Sequence, residues 1–431
     1  MHKFNFALPL SAIRELFKSL IIISIVIIAF GQLAKFPTPR PDLNILVIDV
    51  VIVCTSILYL FLKFISINQI QSPSWIFFSR DIFIFVTATA WIIHPQWFTG
   101  TGSIPSLLYL LRLWMYLLVP DVIIFSLNKV SAVYEVIKTL LFVFVIIIVS
   151  GLIQYNLIPD FHFLQFWGWD NHLYRLASTF LDPGFAGIML ILGIILLIPL
   201  FIHKLTRPLI YLFIITITGI ISLALTFSRA SYIAFFIALS SWYLFTRKII
   251  PVIGLTVALL IMIQLAPKPE GEGVNLTRTS TINFRLTNWN NSLNVFNHNR
   301  LWGIGYNRYR YVQYELGILD KDWQTSHSAS GVDNSALFLL VTTGVVGTAS
   351  FLIFVAFIVI SINLINKRMI KRPESSAMAL VHNHIPYITF ASLVATFIHG
   401  MFHNTWFYPF TLYWIMVLLG LTITVGKSNS K

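Results

Sequence analysis

Charged residues make up only 10% of this chain, yet a few arginines recur beside groups that could share chemistry with them. One stretch reads Arg175-x-x-x-Thr179-Phe180-x-Asp182-Pro183-Gly184. A second is the compact Thr226-Phe227-Ser228-Arg229-Ala230-Ser231. A third is Arg285-x-x-x-Trp289, followed by Leu301-Trp302-Gly303-Ile304-Gly305-Tyr306-Asn307. A guanidinium is planar and offers paired donors, so a fixed one suits a diphosphate better than a lysine would. An arginine at a membrane edge can equally snorkel to lipid phosphate. Gly303 and Gly305 allow a tight turn or a close backbone approach, but no strand–helix context supports a nucleotide site. Arg300, Arg308 and Arg310 alternate with Tyr306, Tyr309, Tyr311 and Tyr314. Such a basic, aromatic patch fits stacking on sugar rings or an interfacial belt.

Further groups could move protons. His327, in Ser326-His327-Ser328, titrates near neutrality and is a general-base candidate, against the reading of a solvated loop histidine. Asp333-Asn334-Ser335 opens an apolar run, so Asp333 or Asn334 reads as a helix N-cap whose helix terminus favours an anion. Asp182 before Pro183 reads the same way. Gly344-x-x-Gly347 reads as close helix packing. Arg112 lies within an apolar run, where it would pair with a carboxylate such as Asp49 or line a cavity. His399 and His403 share a helical face, placed at the middle or inner half of that helix. Their spacing could bind metal, but no Cys or acidic ligand is near and H-E-x-x-H is absent. Cys54 stands alone in an apolar stretch, so it faces lipid or packs in the core, and forms no intrachain disulfide.

The elements that must hold these groups follow from composition. The chain has 431 residues, and 57% are hydrophobic. A soluble protein carries about 25% charged residues, so a soluble enzyme and a disordered chain are both excluded. Long apolar runs exclude a membrane β-barrel. A span needs about 20 apolar residues, and twelve such segments are legible: Phe17–Ala34, Asp42–Leu62, Trp75–His94, Ile104–Leu127, Tyr134–Ile153, Gly184–His203, Pro208–Phe227, Ala230–Phe245, Ile249–Ala266, Ser335–Ile362, Ile385–His403 and Phe407–Val425. The fold class is therefore an all-α polytopic membrane protein of about twelve transmembrane helices. Residues 1–266 hold nine of them, 267–334 form one large hydrophilic segment, and 335–431 hold the last three and a tail. The first run lacks a small-residue cleavage site and is read as an anchor.

The net charge of +13 has two candidate sources, orientation of the helices and binding of an anion. With the N-terminus inside, most of the 29 Lys and Arg, including Lys18, Lys63, Arg80, Lys138, Arg247, Lys248, Lys367, Arg368 and Lys427, fall on the cytoplasmic side. Short outer loops keep only Lys35, Arg40, Arg175 and Arg229. Both termini are then cytoplasmic, and the segment 267–334 faces outward. Apart from Arg112 the spans read as nearly uncharged. Within the long segment, Ile282–Asn297 places Arg285, Trp289 and Ser292 or Leu293 at helical spacing, as in an amphipathic helix on the membrane surface. Trp167, Trp169 and Tyr174 in the loop Asn156–Asp182 read as an interfacial belt.

The stretches around Arg175 to Pro183, Thr226 to Ala230, Arg285 to Gly305 and Asp333 to Gly347, in that order and all outward, resemble the local signatures of the O-antigen ligase / O-antigen polymerase superfamily of bacterial envelope glycan enzymes. The resemblance covers the whole topology. It implies a metal-independent glycosyltransferase without a cofactor, working on the outer face of the bacterial inner membrane. The donor would be a polyprenyl-diphosphate-linked glycan. The acceptor would be a sugar hydroxyl of another lipid-linked repeat (polymerase) or of the lipid A core (ligase). Arg229 and Arg285 would bind the diphosphate and stabilise its departure, with Arg175, Arg112, Tyr306 and Asn334 as further substrate-binding candidates. His327 and Asp333 both remain as the base. Ligases tend to show His-Asn where this chain has Asp333-Asn334, which looks more like the polymerase branch. The family's Pro-Asn is here Pro183-Gly184. Membrane lipids and a chain-length regulator are candidate partners, and nucleic acid is not.

Two other classes fit less well. A metal-dependent polyprenyl-phosphate glycosyltransferase would need paired acids in the first outer loop, and that loop has no D-x-D or E-D. A lipid-linked oligosaccharide flippase would need charge along a central cavity.

Overall fold

The computed structural model describes residues 9–40, 42–65, 75–93, 102–167, 169–202, 209–269, 271–319, 323, 331–368 and 377–428. His327 and its serine neighbours lie outside the described residues, as does the side chain of Trp167. The described residues are helical, with only isolated β-bridges such as Lys35 with Leu46. In chain order the α-helices are α1 (Leu10–Ile27), α2 (Val47–Ile65), α3 (Trp75–Ile92), α4 (Ser103–Leu117), α5 (Val119–Ser126), α6 (Val130–Leu157), α7 (Pro183–Ile202), α8 (Leu209–Leu225), α9 (Arg229–Thr246), α10 (Ile249–Leu265), α11 (Ser280–His298), α12 (Tyr309–Glu315), α13 (Ser335–Arg368), α14 (Ala377–Gly400) and α15 (Pro409–Ser428).

Eight helices among the described residues are long and apolar enough to cross a membrane, and Ile210–Leu225 and Ile249–Leu265 are apolar but shorter. The protein is therefore a polytopic membrane protein. The expected fourth span is among the eight as Ser103–Ser126, with a break at Leu118 between α4 and α5, where Pro120 near the start of α5 cannot continue the hydrogen-bond ladder.

The core runs along α7, whose apolar residues from Ala186 to Leu200 are almost fully buried. It packs against α6, α8, α9 and α14, while α13 lies on α3 and α15 on α5. Lipid is as apolar as leucine, so these contacts hold by close packing and interhelical polar bonds rather than by expulsion of water.

The helices carry more charge than the sequence suggested, but in pairs. Arg80 of α3 is buried and bonds Asp121 of α5 and its neighbour Asp81. Arg112 of α4 bonds Asp49 of α2 and the Asn44 carbonyl. Tyr116 Oη donates to Asp49 Oδ1 at 2.7 Å. Of the two readings for Arg112, the structure provides the carboxylate pair. Pairing lets such charges stand inside apolar helices.

One element departs from the expected packing. At Gly344 the helix α13 is broken (φ 66°, ψ −169°), and the chain at Arg300–Gly305 enters the break. Ile304 N and Gly305 N donate to the carbonyls of Val341 and Thr342 at 3.0 and 2.9 Å. Val345 N and Val346 N donate to the carbonyls of Arg300 and Leu301 at 2.9 and 3.2 Å. Backbone groups that the break frees are thus satisfied, as a low-dielectric setting requires. Both glycines are obligatory here. A Cβ on Gly303 (φ +69°) would lie 2.5 Å from the Thr342 carbonyl carbon, and one on Gly344 2.1 Å from the Leu301 oxygen.

Candidate active site

Four stretches of chain meet at the end of the bundle that carries the 267–334 segment. The first is the return from α6 into α7. Gln154 Oε1 accepts from Ala177 N and Ser178 N at 2.8 and 3.2 Å. Leu176 N donates to the Leu225 carbonyl at 2.9 Å, which sets Arg175 against the turn between α8 and α9. Arg175 Nε donates to the Thr226 carbonyl at 3.0 Å, and Nη2 to the Phe227 carbonyl at 3.4 Å. Asp182 caps α7, its Oδ1 accepting from Phe185 N at 2.8 Å. Its Oδ2 lies 3.6 Å from His172 Nε2.

The second stretch is the turn Thr226–Ser228, with Phe227 in the left-handed region (φ 48°). Ser228 Oγ caps α9 by accepting from Ser231 N at 3.3 Å. Arg229, the first residue of α9, reaches into the long segment. It donates through Nη1 to the carbonyls of Leu276 and Arg278 at 3.2 and 3.0 Å, and through Nη2 to Thr281 Oγ1 at 2.8 Å. Arg278 returns the tie by donating to the Phe227 carbonyl at 3.3 Å. Its Nη1 bonds close the turn at Gly273 and Asn275, and its Nε is buried without a partner among the described residues.

The third stretch is α11. Arg285, Asn288, Trp289, Ser292 and Val295 form its inward stripe, with Ser292 and Val295 buried. Opposite, Ile282, Phe284, Leu286 and Leu293 are exposed. Asn288 Oδ1 accepts from Asp333 N at 3.1 Å, tying the helix to the start of α13. The fourth stretch is the turn after α14. Arg285 Nη2 donates to His403 Nε2 there at 3.2 Å. Asn334 caps α13, its Oδ1 accepting from Ala336 N and Leu337 N at 2.9 and 3.0 Å, and its Nδ2 donates to the Met401 carbonyl at 3.0 Å.

Arg175, Arg229, Arg278 and Arg285 therefore converge, beside Asp182 and Asp333. Burial, then repulsion from Arg278, lowers the Arg175 guanidinium to about 10. Burial and neighbouring arginines push Arg278 and Arg285 down as well, with Asp333 opposing this at Arg285. Asp182 is held below the usual carboxylate range by His172 and His403, against the effect of burial. Asp333 goes the other way. Crowding by protein raises its carboxyl to about 6, although Arg285 pulls it down, and the side chain still reaches solvent. Guanidinium groups that repel one another, with N–H donors left over, form a site for a multivalent anion. Among the described residues Arg285 makes no hydrogen bond except to His403, and Arg175 and Arg229 each keep donors. Asp333, next to the anion site and open to solvent, can take a proton from a hydroxyl.

Two of the expected site residues sit back from this recess. Arg112 is engaged with Asp49, and Tyr306 is buried between Phe338 and Phe407. Much of the basic, aromatic patch is interior too, although Arg300 and Tyr314 are exposed. Arg308 lies over the Trp91 ring at 4.6 Å, Tyr309 bonds Ser292, and Tyr311 donates to Asp42 Oδ2 at 2.7 Å. The patch fastens the long segment to the bundle. The placement of His399 and His403 is corrected as well. His399 is next to last in α14 and His403 lies beyond it, beside Arg285. Counting crossings from a cytoplasmic N-terminus puts that end of the eleventh helix outward, so this was readable. Their rings stack at 4.9 Å. Arg278 had no motif to mark it.

A family described as O-antigen ligase matches residues 212–352, from α8 through the broken α13. No curated protein sequence matches the chain. The matched residues include Arg229, Arg278, Arg285, Asp333, Gly303 and Gly344.

Proposed function

From the match of residues 212–352 to a family described as O-antigen ligase, we propose that this chain belongs to the O-antigen ligase / O-antigen polymerase superfamily and is a polymerase acting at the recess around Arg285. It transfers a glycan from polyprenyl diphosphate to a sugar hydroxyl of another lipid-linked repeat. The transfer takes place on the outer face of the bacterial inner membrane, with both termini cytoplasmic. The observation that carries this reading is the convergence of Arg175, Arg229 and Arg285 beside a solvent-reachable Asp333.

In the step, the acceptor oxygen attacks the anomeric carbon and the bond from that carbon to the diphosphate oxygen breaks. The diphosphate leaves with the bonding electrons. Developing negative charge on it is met by N–H donors of Arg285, Arg229 and Arg175, already fixed before the reaction. Such guanidinium groups supply the charge stabilisation that a metal ion gives elsewhere. Asp333, a carboxylate at neutral pH, takes the acceptor proton. His327 is the alternative base. Asn334 holds the start of α13 and thereby Asp333. Arg112 and Tyr306 support the bundle behind the recess.

The second reading is ligation to the lipid A core, favoured by the description of the matched family. Purified protein given defined lipid-linked repeats together with lipid A core separates the two. A lipid-linked ladder is the polymerase result, and glycan on the core is the ligase result.

A further inference from the structure

His403 occupies an unusual position against α7. Gly184, in the first turn of that helix, has no side chain, and a Cβ there would lie 2.7 Å from His403 Cε1 and 2.8 Å from Nε2. The imidazole therefore fills the space in which a larger residue at 184 would point. Neighbours hold it from several sides. The Phe185 ring lies 6.1 Å away and the His399 ring stacks at 4.9 Å with 14° between the planes. His399 is itself held, through Nδ1 by Thr405 Oγ1 at 2.6 Å and through Nε2 by Ser231 Oγ at 3.2 Å. Backbone bonds complete the frame: His403 N donates to the His399 carbonyl at 3.2 Å, and the His403 carbonyl accepts from Ser335 Oγ at 3.0 Å.

A ring so fixed presents Nε2 to Arg285 Nη2 at 3.2 Å. A guanidinium has no acceptor, so Nε2 must accept, and the imidazole is neutral with its proton on Nδ1. The charged and titratable groups that face it are Arg285 from α11, Asp182 at the start of α7, Arg175 and His172 from the stretch before α7, and His399 from α14. Arginine is long and loses much rotamer freedom when it binds an anion, so fixing it beforehand strengthens that binding.

We propose that His403 is a positioning residue for Arg285: its neutral Nε2 anchors one Nη of the guanidinium and leaves the other N–H donors directed at the diphosphate. This rests on the reading of Arg285 as a diphosphate ligand. Within that reading it assigns the turn after α14 a part in the site that the arginine motifs do not reveal. It also accounts for glycine at 184, where the imidazole leaves no room for a side chain.

The test compares His403→Gln, which keeps an acceptor, with His403→Phe and His403→Leu, which do not, in the full chain reconstituted in lipid. Two quantities are read: the dissociation constant for farnesyl diphosphate as a short probe, and KM against kcat for glycan transfer. Losing one charge-assisted hydrogen bond corresponds to about a tenfold change. The acceptor-free variants are expected to weaken probe binding and raise KM for the donor about tenfold, with His403→Gln within about threefold of the parent. Wild-type values in both acceptor-free variants, or equal damage from Gln and Phe, would overturn the proposal. Arg285→Ala keeps the two readings apart. Unchanged probe affinity and rate in that variant would remove the diphosphate role itself. An impaired Arg285→Ala beside normal acceptor-free variants would remove only the role of His403.

Discussion

Arg285 Nη2 and His403 Nε2 meet at 3.2 Å across 118 residues of sequence, joining the long hydrophilic segment to the turn after α14. This bond, with Asn334 bound to the Met401 carbonyl and Arg229 bound to Leu276, Arg278 and Thr281, closes the recess from three directions. No single loop forms the site. It exists only when α7, α9, α11, α13 and α14 are packed.

The arginines should differ in how they fail. Arg285 makes one hydrogen bond to the described protein, so Arg285→Ala should remove substrate contacts with little effect on folding. Loss of one preorganised donor group from a transition state costs about 10²–10³ in kcat, and that drop should appear in glycan lengthening by inserted, folded protein. Arg285→Lys should not restore it, because an ammonium lacks the planar fork. Arg229→Ala should lose both rate and thermal stability, since its guanidinium also holds the 276–281 turn. Normal polymer ladders in either alanine variant would remove the assigned roles.

Asp333 gives the reaction a pH signature. Its carboxyl is raised to about 6, so the basic form predominates above that pH and is lost below it. The rate should therefore fall as pH drops through about 6, with little change just above neutrality. Asp333→Asn should abolish the acid limb together with most of the activity. If His327 is the base instead, Asp333→Asn keeps its rate and His327→Ala loses it. Full rate in both variants would show that neither is the base.

Gly303 and Gly344 should be replaceable by nothing larger. Each has positive φ, and a Cβ on either meets the backbone of the other's segment. Left-handed strain alone is about 1–3 kcal/mol per residue, and the backbone collision adds to it. Gly303→Ala and Gly344→Ala should each lower the thermal midpoint clearly, and the double variant should cost less than the sum because both open the same junction. An additive result in a thermal-melt cycle would argue against the junction.

Arg112 and Asp49 should behave as one unit. Removing one partner of a buried ion pair costs about 3–5 kcal/mol. Arg112→Ala should thus destabilise strongly, and Arg112→Met combined with Asp49→Leu should recover much of the loss. A variant with donor affinity lost and stability intact would return Arg112 to the substrate site.

Much of this architecture was legible in the residues. Apolar runs located the helices, and the arginine stretches at 175, 229 and 285 did fall together: Arg175 lies in the loop before α7, Arg229 begins α9 and Arg285 lies in the second turn of α11, all at the same end of the bundle. Asp182 read as a cap from its position alone, and of the two candidates Asp333 and Asn334 it is Asn334 that caps α13. What sequence concealed was pairing at long range. The basic, aromatic residues from Arg300 to Tyr314 look like a surface, but Tyr306, Arg308 and Tyr311 find partners in distant helices and are buried. Gly344 looks like helix packing until the chain at Arg300–Gly305 is seen to supply its missing hydrogen bonds. Buried Arg80 was hidden because its partner Asp121 is 41 residues away.

The central claim is glycosyl transfer from polyprenyl diphosphate at the recess around Arg285, and its most direct measure is stoichiometry. Purified protein in lipid, supplied only with a defined lipid-linked repeat and EDTA, is assayed for free polyprenyl diphosphate and for new glycosidic bonds. The account predicts that the two appear in equal amounts and that both vanish in Arg285→Ala. Movement of the repeat across the bilayer without release of polyprenyl diphosphate, or loss of the reaction in EDTA, would contradict it.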